Sequence, residues 1–446
     1  MKAIIISQGR VIDGLGDPAE DALFAGSTVG EMVDAACMEL GAQPVRLKMG
    51  EPHGISADEK VLVLAADLFA TVSVLQPFLA RALGMGGVQR LALRRTPSVE
   101  FTLPMQAVDV APLTDAERAV VPSGRLAARE RVATEKVLYD AFVCTGADLG
   151  ATVDAATLRS LREKGTPLLV DKKELIVPTR LPILPMAGQT QAATMDFPIT
   201  SSVAVQLRHW CHVLWLNQLA PGITLNLAIR QNKLGALLRV LTGFSFRRER
   251  VLQRISVIHP TARVHPTAYV EASIIGPGAV VGARASVRNS YVAKDAEIGD
   301  HATVLSSVVG QRAFVTPKTF LVWCAVYPDA VVGNFKLQVS LVGKGAHVNA
   351  WAGLIDAKFQ GSVRVELDGK LHSTERSFLG SCIGHGAQVA SKVLIHPGRV
   401  VPNGAVVIMR PDEVISTIPA QLAPGVPMVR DEGTLKPLAS LKSGAR

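Results

Sequence analysis

Residues 275–292 are IGPGAVVGARASVRNSYV, a stretch in which an aliphatic residue returns at every sixth position, at Ile275, Val281 and Val287. Each set of three such hexads begins 17 residues after the preceding set. The aliphatic positions of the whole run are Ile258, Val264, Val270, Ile275, Val281, Val287, Val292, Ile298, Val304, Val309 and Val315. Alanine fills the fifth position of many hexads, at Ala262, Ala268, Ala279, Ala285, Ala296, Ala302 and Ala313. Self-similarity at a fixed period indicates a repeat architecture.

A three-sided coil explains this pattern, because each hexad then supplies one short strand and one turn. The aliphatic and small residues face inward, and glycine at the second position, as at Gly282 and Gly299, relaxes the turn. Stacked coils bury one continuous aliphatic column that a single coil could not keep stable. The pattern resembles the left-handed parallel β-helix of the hexapeptide-repeat transferase family. The resemblance implies a homotrimer assembled through the β-helix.

The predicted β-helix spans residues 257–417 and is interrupted once. Asp368-Gly369, a dipeptide that favours a tight hairpin turn, lies between two short runs that resemble strands. We therefore predict a hairpin insertion over 359–377. Residues 418–446 are predicted to be a C-terminal tail.

The composition is that of a folded protein with more than one domain. The 446 residues, 48% of them hydrophobic and 19% charged, are enough for two or three domains. The five cysteines have no C-x-x-C spacing and are odd in number, which favours neither a disulfide framework nor a zinc cluster. Because the sequence also lacks a run of about 18 apolar residues, we expect a cytoplasmic protein without a transmembrane segment.

The first half, residues 1–220, alternates strand-like apolar runs with helical stretches. This alternation predicts an α/β, Rossmann-like domain. In open sheets of this kind, ligands bind at the carboxyl ends of the strands. That rule places Ser7–Arg10 and Asp67, which each follow an apolar run, at one mouth of the sheet.

Two segments of this half resemble the sugar-1-phosphate nucleotidyltransferases, a family that often joins such a domain to a left-handed β-helix. Met1–Arg10 resembles the opening strand and glycine loop, and Val61–Leu68 resembles the strand that ends in a metal-binding aspartate. A third segment, Arg208–Asn217, resembles a tryptophan-to-asparagine helix that some members place before the β-helix. The resemblance implies a nucleotide or sugar phosphate as ligand.

The residues that the resemblance assigns to this ligand are Ser7, Gln8, Gly9 and Arg10, with Asp67 as the catalytic Mg²⁺ ligand. Magnesium sites commonly use one or two carboxylates plus substrate phosphates. The alternative for Asp67 is an aspartate that merely ends the strand, or an N-cap of the helical stretch that follows it.

The first loop departs from the family pattern. The family carries Gly-Thr-Arg followed by Pro-Lys, whereas this chain has the acids Asp17, Glu20 and Asp21 in that region. Acids are expected to repel a triphosphate, because anion sites need positive donors. The sequence therefore puts activity at this mouth in doubt.

The second half also resembles the C-terminal part of the bifunctional N-acetylglucosamine-1-phosphate uridylyltransferases and glucosamine-1-phosphate acetyltransferases. Their catalytic histidine falls on Ala350, and His347 lies close by. His385 resembles the histidine of hexapeptide acyltransferases, in which imidazole takes a proton as the acceptor attacks an acyl-coenzyme A or acyl carrier thioester. The alternative for His385 is a solvent-exposed corner. His372 and Arg376, on the predicted hairpin, are further candidates.

Basic residues concentrate between the two halves, where residues 221–256 are predicted to form a connecting amphipathic helix. The charged residues of this segment are Arg230, Lys233, Arg239, Arg247, Arg248, Arg250 and Arg254, with the acid Glu249. Its part from 225 to 254 fits either a solvated connector or a peripheral contact with an anionic membrane. Basic and aromatic residues do not interleave, so nucleic acid is not an expected partner.

Three hypotheses follow for the function. The first is a divergent nucleotidyltransferase-like enzyme of sugar-nucleotide or cell-envelope precursor metabolism, with acyltransferase activity in the β-helix as a further option. The second is a non-catalytic relative that binds a nucleotide sugar, or nothing, at a degenerate front site and forms a trimeric scaffold. The third is a scaffold that contacts a membrane or partner through 225–254.

Overall fold

The two halves of the chain form an α/β domain and a β-helix, as the sequence predicts. The computed structural model describes residues 1–119, 134–171, 174–180, 194–235, 247–333, 335–415, 417–418, 421–422 and 424–441.

A mixed sheet forms the centre of the first half. Its strands, in order across the sheet, are Thr166–Val170, Gln89–Arg94, Glu135–Thr145, Lys60–Ala65, Lys2–Ser7 and Gln43–Lys48, and Asp109–Pro112 also pairs with Glu135–Thr145. Lys2–Ser7 is parallel to both of its neighbours, so its carboxyl end and that of Lys60–Ala65 lie at the same edge. Glu135–Thr145 runs antiparallel to Lys60–Ala65.

Short helices and pairs of short strands surround this sheet. The helices are Ala19–Asp21 (3-10), Val29–Glu39, Val72–Ala82, Pro97–Thr102, Asp115–Ala119, Gly146–Leu149 and Ala155–Lys164. The paired short strands are Leu23–Phe24 with Ser27–Thr28, Leu68–Ala70 with Ala204–Gln206, and Leu175–Arg180 with Thr194–Ile199. Thr71 is the N-cap of Val72–Ala82. The N-cap alternative for Asp67 is therefore wrong, because a strand separates Asp67 from the helix.

The long helix, Trp210–Gln231, connects the halves. It continues through the predicted boundary at 220 and contains Pro221, and the Thr224 hydroxyl donates to the Ala220 carbonyl. The start of the predicted connecting helix over 221–256 is thus part of a helix that begins earlier, at Trp210. Residues 236–246 lie outside the described ranges. A second helix then covers Arg248–Arg254. No helix in the described ranges is long and apolar enough to cross a bilayer.

The second half is a left-handed parallel β-helix with three faces. Face one contains Val257–Ile258, Ile274–Ile275, Tyr291–Val292, Val308–Val309, Ala325–Val326, Leu341–Val342, Cys382–Ile383 and Val400–Val401. Face two contains Arg263–Val264, Val280–Val281, Glu297–Ile298, Phe314–Val315, Val331–Val332, His347–Val348, Gln388–Val389 and Val406–Val407. Face three contains Tyr269–Glu271, Ser286–Arg288, Thr303–Leu305, Phe320–Val322 and Lys336–Gln338, followed by the pair Gly353–Leu354 and Leu394–Ile395.

The inner column has the predicted composition, and the glycines have a different role from the predicted one. The fifth-position alanines of the regular coils, such as Ala279 and Ala296, are fully buried. Gly299 and Gly310 do not have positive φ. A Cβ on Gly310 would stand 2.6 Å from the backbone nitrogen of Pro328 in the next coil. These glycines therefore permit close stacking of coils rather than a special turn dihedral.

A buried hydroxyl ladder runs along the boundary between faces three and one. The amide of Ser290 donates to the hydroxyl of Ser273 at 3.1 Å, and the amide of Ser307 donates to Ser290 at 3.2 Å. Cys324 continues the ladder, its amide donating to Ser307 at 3.0 Å. Each rung supplies a buried amide with an acceptor from the preceding coil, which avoids the cost of an unpaired buried donor.

The insertion forms the predicted hairpin. Arg364–Leu367 pairs antiparallel with Lys370–Ser373, and Asp368 and Gly369 both have positive φ, as a type I′ turn requires. Beyond the β-helix lie a 3-10 turn at Pro411–Glu413, a hairpin of Met428–Asp431 with Thr434–Pro437, and a short helix at Leu438–Leu441.

One hydrophobic core spans both halves. Trp210 and Trp215 of the long helix pack in the same cluster as Trp323 and Tyr327 of the β-helix. The Gln218 side chain donates to the Trp323 carbonyl at 2.9 Å. The two halves are therefore joined by buried contacts as well as by the chain.

Candidate functional site

The predicted mouth exists as a cleft at the carboxyl edge of the central sheet. The structure brings Ser7, Gln8, Gly9, Arg10 and Asp67 together around a space of about 120 Å³. The remaining lining residues are Val11, Pro18, Ala19, Glu20 and Ala66. This volume is below the ~300 Å³ of the smaller ligand pockets. It suits a phosphate group better than a whole nucleotide sugar.

Asp67 lies at the floor of the cleft and is 4% exposed. The Gln206 side-chain amide donates to both of its carboxylate oxygens, at 3.3 and 3.4 Å, and the Arg10 guanidinium lies 3.6 Å away. Burial, with the negative charge of Asp140, raises the pKa of Asp67 to about 6. The carboxylate that the resemblance assigns to a metal is thus already held by an amide and a guanidinium.

A second carboxylate, Asp140, lies behind Asp67 and is missed by the sequence analysis. It is 1% exposed and bridges Arg90, at 3.2 Å, and Arg162. Gln206 donates to Asp140 as well, at 3.2 Å. Its signal in the sequence is a lone acid inside the apolar strand Glu135–Thr145, a position that is seldom charged unless the charge is paired.

The cleft presents donors for an anion. The side-chain nitrogen Nε2 of Gln8 is buried and has no hydrogen-bond partner among the described residues. The backbone amides of Gln8, Gly9 and Arg10 donate to no residue in the described part of the chain. Arg10, which lines the cleft, is 44% exposed and can turn towards a ligand. A buried donor without an acceptor is costly, so this grouping favours an anionic ligand.

Two of the three acids of the first loop, Glu20 and Asp17, have partners in the protein. Glu20 pairs with Arg46 at 2.8 Å, and Asp17 lies 2.8 Å from the Nε2 of His385. The expected repulsion of a triphosphate is weakened wherever such pairing neutralises the acid.

The rest of that loop is attached to the β-helix. The Asp13 carboxylate accepts from the Asp368 amide at 3.0 Å, and the Asn403 side chain donates to the Leu15 carbonyl at 2.7 Å. A Cβ on Gly14 would stand 2.6 Å from Trp210, so only glycine fits there. The first loop is therefore fixed by its contacts with the second half of the chain.

His385 belongs to this attachment. Its Nδ1 accepts the Lys344 amide at 2.8 Å, so its Nε2 carries the proton and donates to Asp17. Its side chain is only 19% exposed, and its ring contacts Tyr327 edge-on, so the alternative of a solvent-exposed corner is wrong. Its acyltransfer role stays a prediction, and in this arrangement both ring nitrogens are engaged.

The other candidates lie on face two or in the hairpin insertion. His347 is exposed on face two, and His372 is exposed on the hairpin. Arg376 is partly buried, its guanidinium carbon lying 4.4 Å from the ring centres of both Phe101 and Trp215, and it donates to the Phe101 carbonyl. Burial lowers the pKa of Arg376 to about 10. Its contacts join the hairpin to the front domain.

The donor set does not fit a magnesium ion. The carboxylates that line the cleft are Asp67 and Glu20; both oxygens of Asp67 accept from Gln206, and Glu20 pairs with Arg46. Asp140 is taken by two arginines, and no group of three potential metal ligands occurs within the described ranges. A magnesium site commonly uses one or two carboxylates plus substrate phosphates, and here the candidate carboxylates already have partners within the protein.

A second cavity, of about 260 Å³, lies between the front domain and the hairpin. It is lined by Arg95, Glu100, Leu103, Pro104, Met105, Gln106, Val108, Val110 and Glu375. The Gln106 side chain accepts the Gln206 amide at 2.8 Å, so this cavity and the Asp67 cleft contact the same short strand.

Among known protein families, one family model matches part of the second half of the chain. Residues 252–335 match the family model described as the GMPPB C-terminal domain, a left-handed β-helix of the nucleotidyltransferase family. This confirms, over the matched coils, the resemblance to a sugar-1-phosphate nucleotidyltransferase-like protein with a C-terminal β-helix.

Among solved structures, the chain is similar to a hexapeptide transferase family protein from Anaplasma phagocytophilum. The identity is 15%, the match covers 34% of this chain and 72% of that one, and the TM-score is 0.20. The search of curated proteins gave no match.

Proposed function

We propose that this chain is a divergent nucleotidyltransferase-like protein whose front cleft binds the phosphate of a nucleotide or sugar phosphate without transferring a nucleotidyl group. One observation carries the proposal: the buried, unpartnered Nε2 of Gln8 lies in the same cleft as the cation of Arg10. A phosphate oxygen would satisfy Gln8, the loop amides and Arg10 together.

The contacts of Asp67 support binding over transfer. Transfer in the related family is expected to use this carboxylate as a metal ligand, whereas here Gln206 and Arg10 occupy it. A bound phosphate would draw Arg10 away from Asp67 and leave the carboxylate protonated or held by Gln206 alone. The cleft thus functions as an anion site that needs no divalent cation.

Calorimetric titration of the full-length protein tests this proposal. UTP, GTP, CTP, ATP, dTTP and a panel of sugar-1-phosphates are titrated with and without Mg²⁺, and pyrophosphate release is followed in parallel. We expect binding of at least one ligand without Mg²⁺ and no pyrophosphate release. Arg10→Ala should weaken binding about tenfold or more, since a charge-assisted hydrogen bond contributes ~1.5–3 kcal/mol.

Arg159→Ala is the matched control, because Arg159 is exposed on a helix that does not line the cleft. Its affinity should equal that of the wild type. Mg²⁺-dependent pyrophosphate release that disappears in Asp67→Ala would instead establish nucleotidyl transfer and contradict the proposal.

The β-helix is proposed to assemble a homotrimer, in a protein of sugar-nucleotide or cell-envelope precursor metabolism. The coil repeat supports the assembly, and mass photometry of the purified chain measures it directly. Acyl transfer remains the second candidate for this half. Its test is turnover of acyl-coenzyme A or an acyl carrier thioester, compared among the wild type, His385→Ala and His347→Ala, since His385 is the predicted catalytic histidine and the ring of His347 is exposed on face two.

A further inference from the structure

The corner between faces two and three carries an exposed row of side chains that the proposed function does not use. Five of the coils contribute one residue with positive φ at this corner, namely Arg284, His301, Lys318, Trp351 and Lys392. All of these residues are exposed. We call this row the corner ridge.

Backbone hydrogen bonds hold the corner ridge in a straight line. The His301 amide donates to the Ala283 carbonyl at 2.8 Å, and the Lys392 amide donates to the Trp351 carbonyl at 3.1 Å. Neighbouring coils are about 4.8 Å apart, so the ridge from Arg284 to Lys392 is roughly 24 Å long. The ridge is preformed, which lowers the entropy lost when it binds a surface.

The basic side chains of the ridge are not neutralised within the protein. Arg284, His301, Lys318 and Lys392 form no ion pair with any described residue. The neighbouring corner, between faces one and two, differs, because there Arg312 pairs with Asp329 at 2.6 Å.

One end of the ridge has an apolar tip, formed by Phe335, Trp351 and Leu394. Their exposures are 75%, 71% and 73%. The rings of Phe335 and Trp351 stack with centres 6.3 Å apart, and Leu394 lies over Gly353, two residues beyond Trp351. The other three tryptophans of the chain, Trp210, Trp215 and Trp323, are at most 3% exposed. An exposed stacked pair beside unpaired cations indicates a surface that contacts another body.

We propose that the corner ridge and its apolar tip bind the surface of an anionic lipid bilayer. Phe335, Trp351 and Leu394 enter the headgroup layer, where amphipathic aromatic rings are favoured. Lys318, Lys392 and Arg284 face the anionic headgroups, and each contributes ~1 kcal/mol near such a surface. The chemistry matches a bilayer, which offers both an apolar layer and a negative plane.

A second copy of this chain related by a two-fold axis fits the ridge less well, and a three-fold contact, as in the proposed homotrimer, is tested below by the oligomeric state of Trp351→Ser. Two copies related by a two-fold axis would place Arg284, Lys318 and Lys392 against the same cations of the partner. A dissolved polyanion would explain the cations and leave the apolar tip uncovered. The experiment below distinguishes a second copy and a dissolved polyanion from a lipid bilayer.

Cosedimentation of the full-length protein with vesicles tests the proposal. One set contains phosphatidylcholine alone, and the other also contains phosphatidylglycerol. We expect binding to the anionic set that falls with added salt, together with a blue shift of tryptophan fluorescence as Trp351 enters the headgroup layer.

Variants assign the binding to the ridge. Lys392→Glu should weaken vesicle binding about fivefold or more, whereas Arg263→Glu, an equal charge change at an exposed position on face two, should not. Trp351→Ser should abolish the blue shift and lower the bound fraction. Nucleotide binding at the front cleft should be unchanged in all three variants.

Several outcomes overturn the proposal. Equal weakening by Lys392→Glu and Arg263→Glu would show non-specific attraction, and binding to soluble heparin that persists in Trp351→Ser would identify a polyanion site. A change of oligomeric state in Trp351→Ser, seen by analytical ultracentrifugation, would make the tip a contact between copies. Loss of vesicle binding in Arg230→Glu with Lys392→Glu unaffected would place membrane contact in the segment 225–254 instead.

Discussion

The contacts that build the β-helix and those that build the front cleft differ in the sequence separation between their partners. In the β-helix, a rung such as Ser307 to Ser290 joins residues 17 positions apart, and the same contact recurs along the chain. In the cleft, Gln206 reaches Asp67 from 139 positions away, and Asn403 reaches Leu15 from 388. The coils are therefore stable through repetition of one local pattern, whereas the cleft depends on single contacts that each occur once.

The largest expected effect is at the junction that the two regions share. Trp215→Ala removes a fully buried ring and should lower the free energy of unfolding by ~3–5 kcal/mol. Because Trp215 packs in a cluster with residues of both halves, chemical denaturation should show one shared transition that moves as a whole. Trp351→Ala, at an exposed tryptophan, should change the free energy by less than about 0.5 kcal/mol.

Two separate transitions, of which only one responds to Trp215→Ala, would mean that the halves unfold independently.

A glycine of the repeat gives the next largest effect. Gly310→Ala places a Cβ 2.6 Å from the backbone of the next coil, and overpacking of this kind costs ~1–3 kcal/mol. Thermal melting should show the loss. Gly86→Ala is the control, because a Cβ there meets no atom within 4 Å and the residue does not have positive φ. A Gly310→Ala variant as stable as Gly86→Ala would refute close stacking as the reason for the glycine.

The raised pKa of Asp67, in the cleft, predicts that the free energy of unfolding depends on pH. Its folded pKa of about 6 lies above its ordinary value of 3.8, so the unfolded chain loses this proton first as the pH rises. The contribution of Asp67 to stability therefore falls between about pH 4 and 6, and Asp67→Asn should be more stable than the wild type above that window. The expected gain is on the order of 1–2 kcal/mol.

Denaturant titrations of wild type and Asp67→Asn at pH 4 and pH 7 measure this difference. A difference that stays constant between the two pH values would show that the pKa of Asp67 is not raised.

The smallest effect is expected where the front loop meets the β-helix. The hydrogen bond between His385 and Asp17 is half-buried, and its loss should cost ~1 kcal/mol. A double-mutant cycle of Asp17→Asn and His385→Ala isolates the pair, with an expected coupling of ~0.5–1.5 kcal/mol. Additive effects of the two substitutions would mean that this contact does not fix the loop.

The sequence predicts the β-helix well because the inward position of each hexad is decided locally. Val281 and Ala285 are buried wherever the coil is formed, so their spacing alone identifies them. Strand order also sufficed to bring Ser7 and Asp67 to one mouth. The partners of Asp67 could not be predicted, because Gln206 and Asp140 come from distant strands and carry no local motif. The same holds for His385, whose partner Asp17 lies 368 positions away.

The shared core restricts how the protein can be divided for experiments. A fragment that begins at residue 247 would remove Trp210 and Trp215 from the cluster that contains Trp323 and Tyr327 and would expose apolar surface in water. A soluble β-helix for crystallisation or fusion therefore has to retain the long helix, Trp210–Gln231. Conversely, a front domain ending before residue 247 would need polar replacements on the side of that helix that faces the coils.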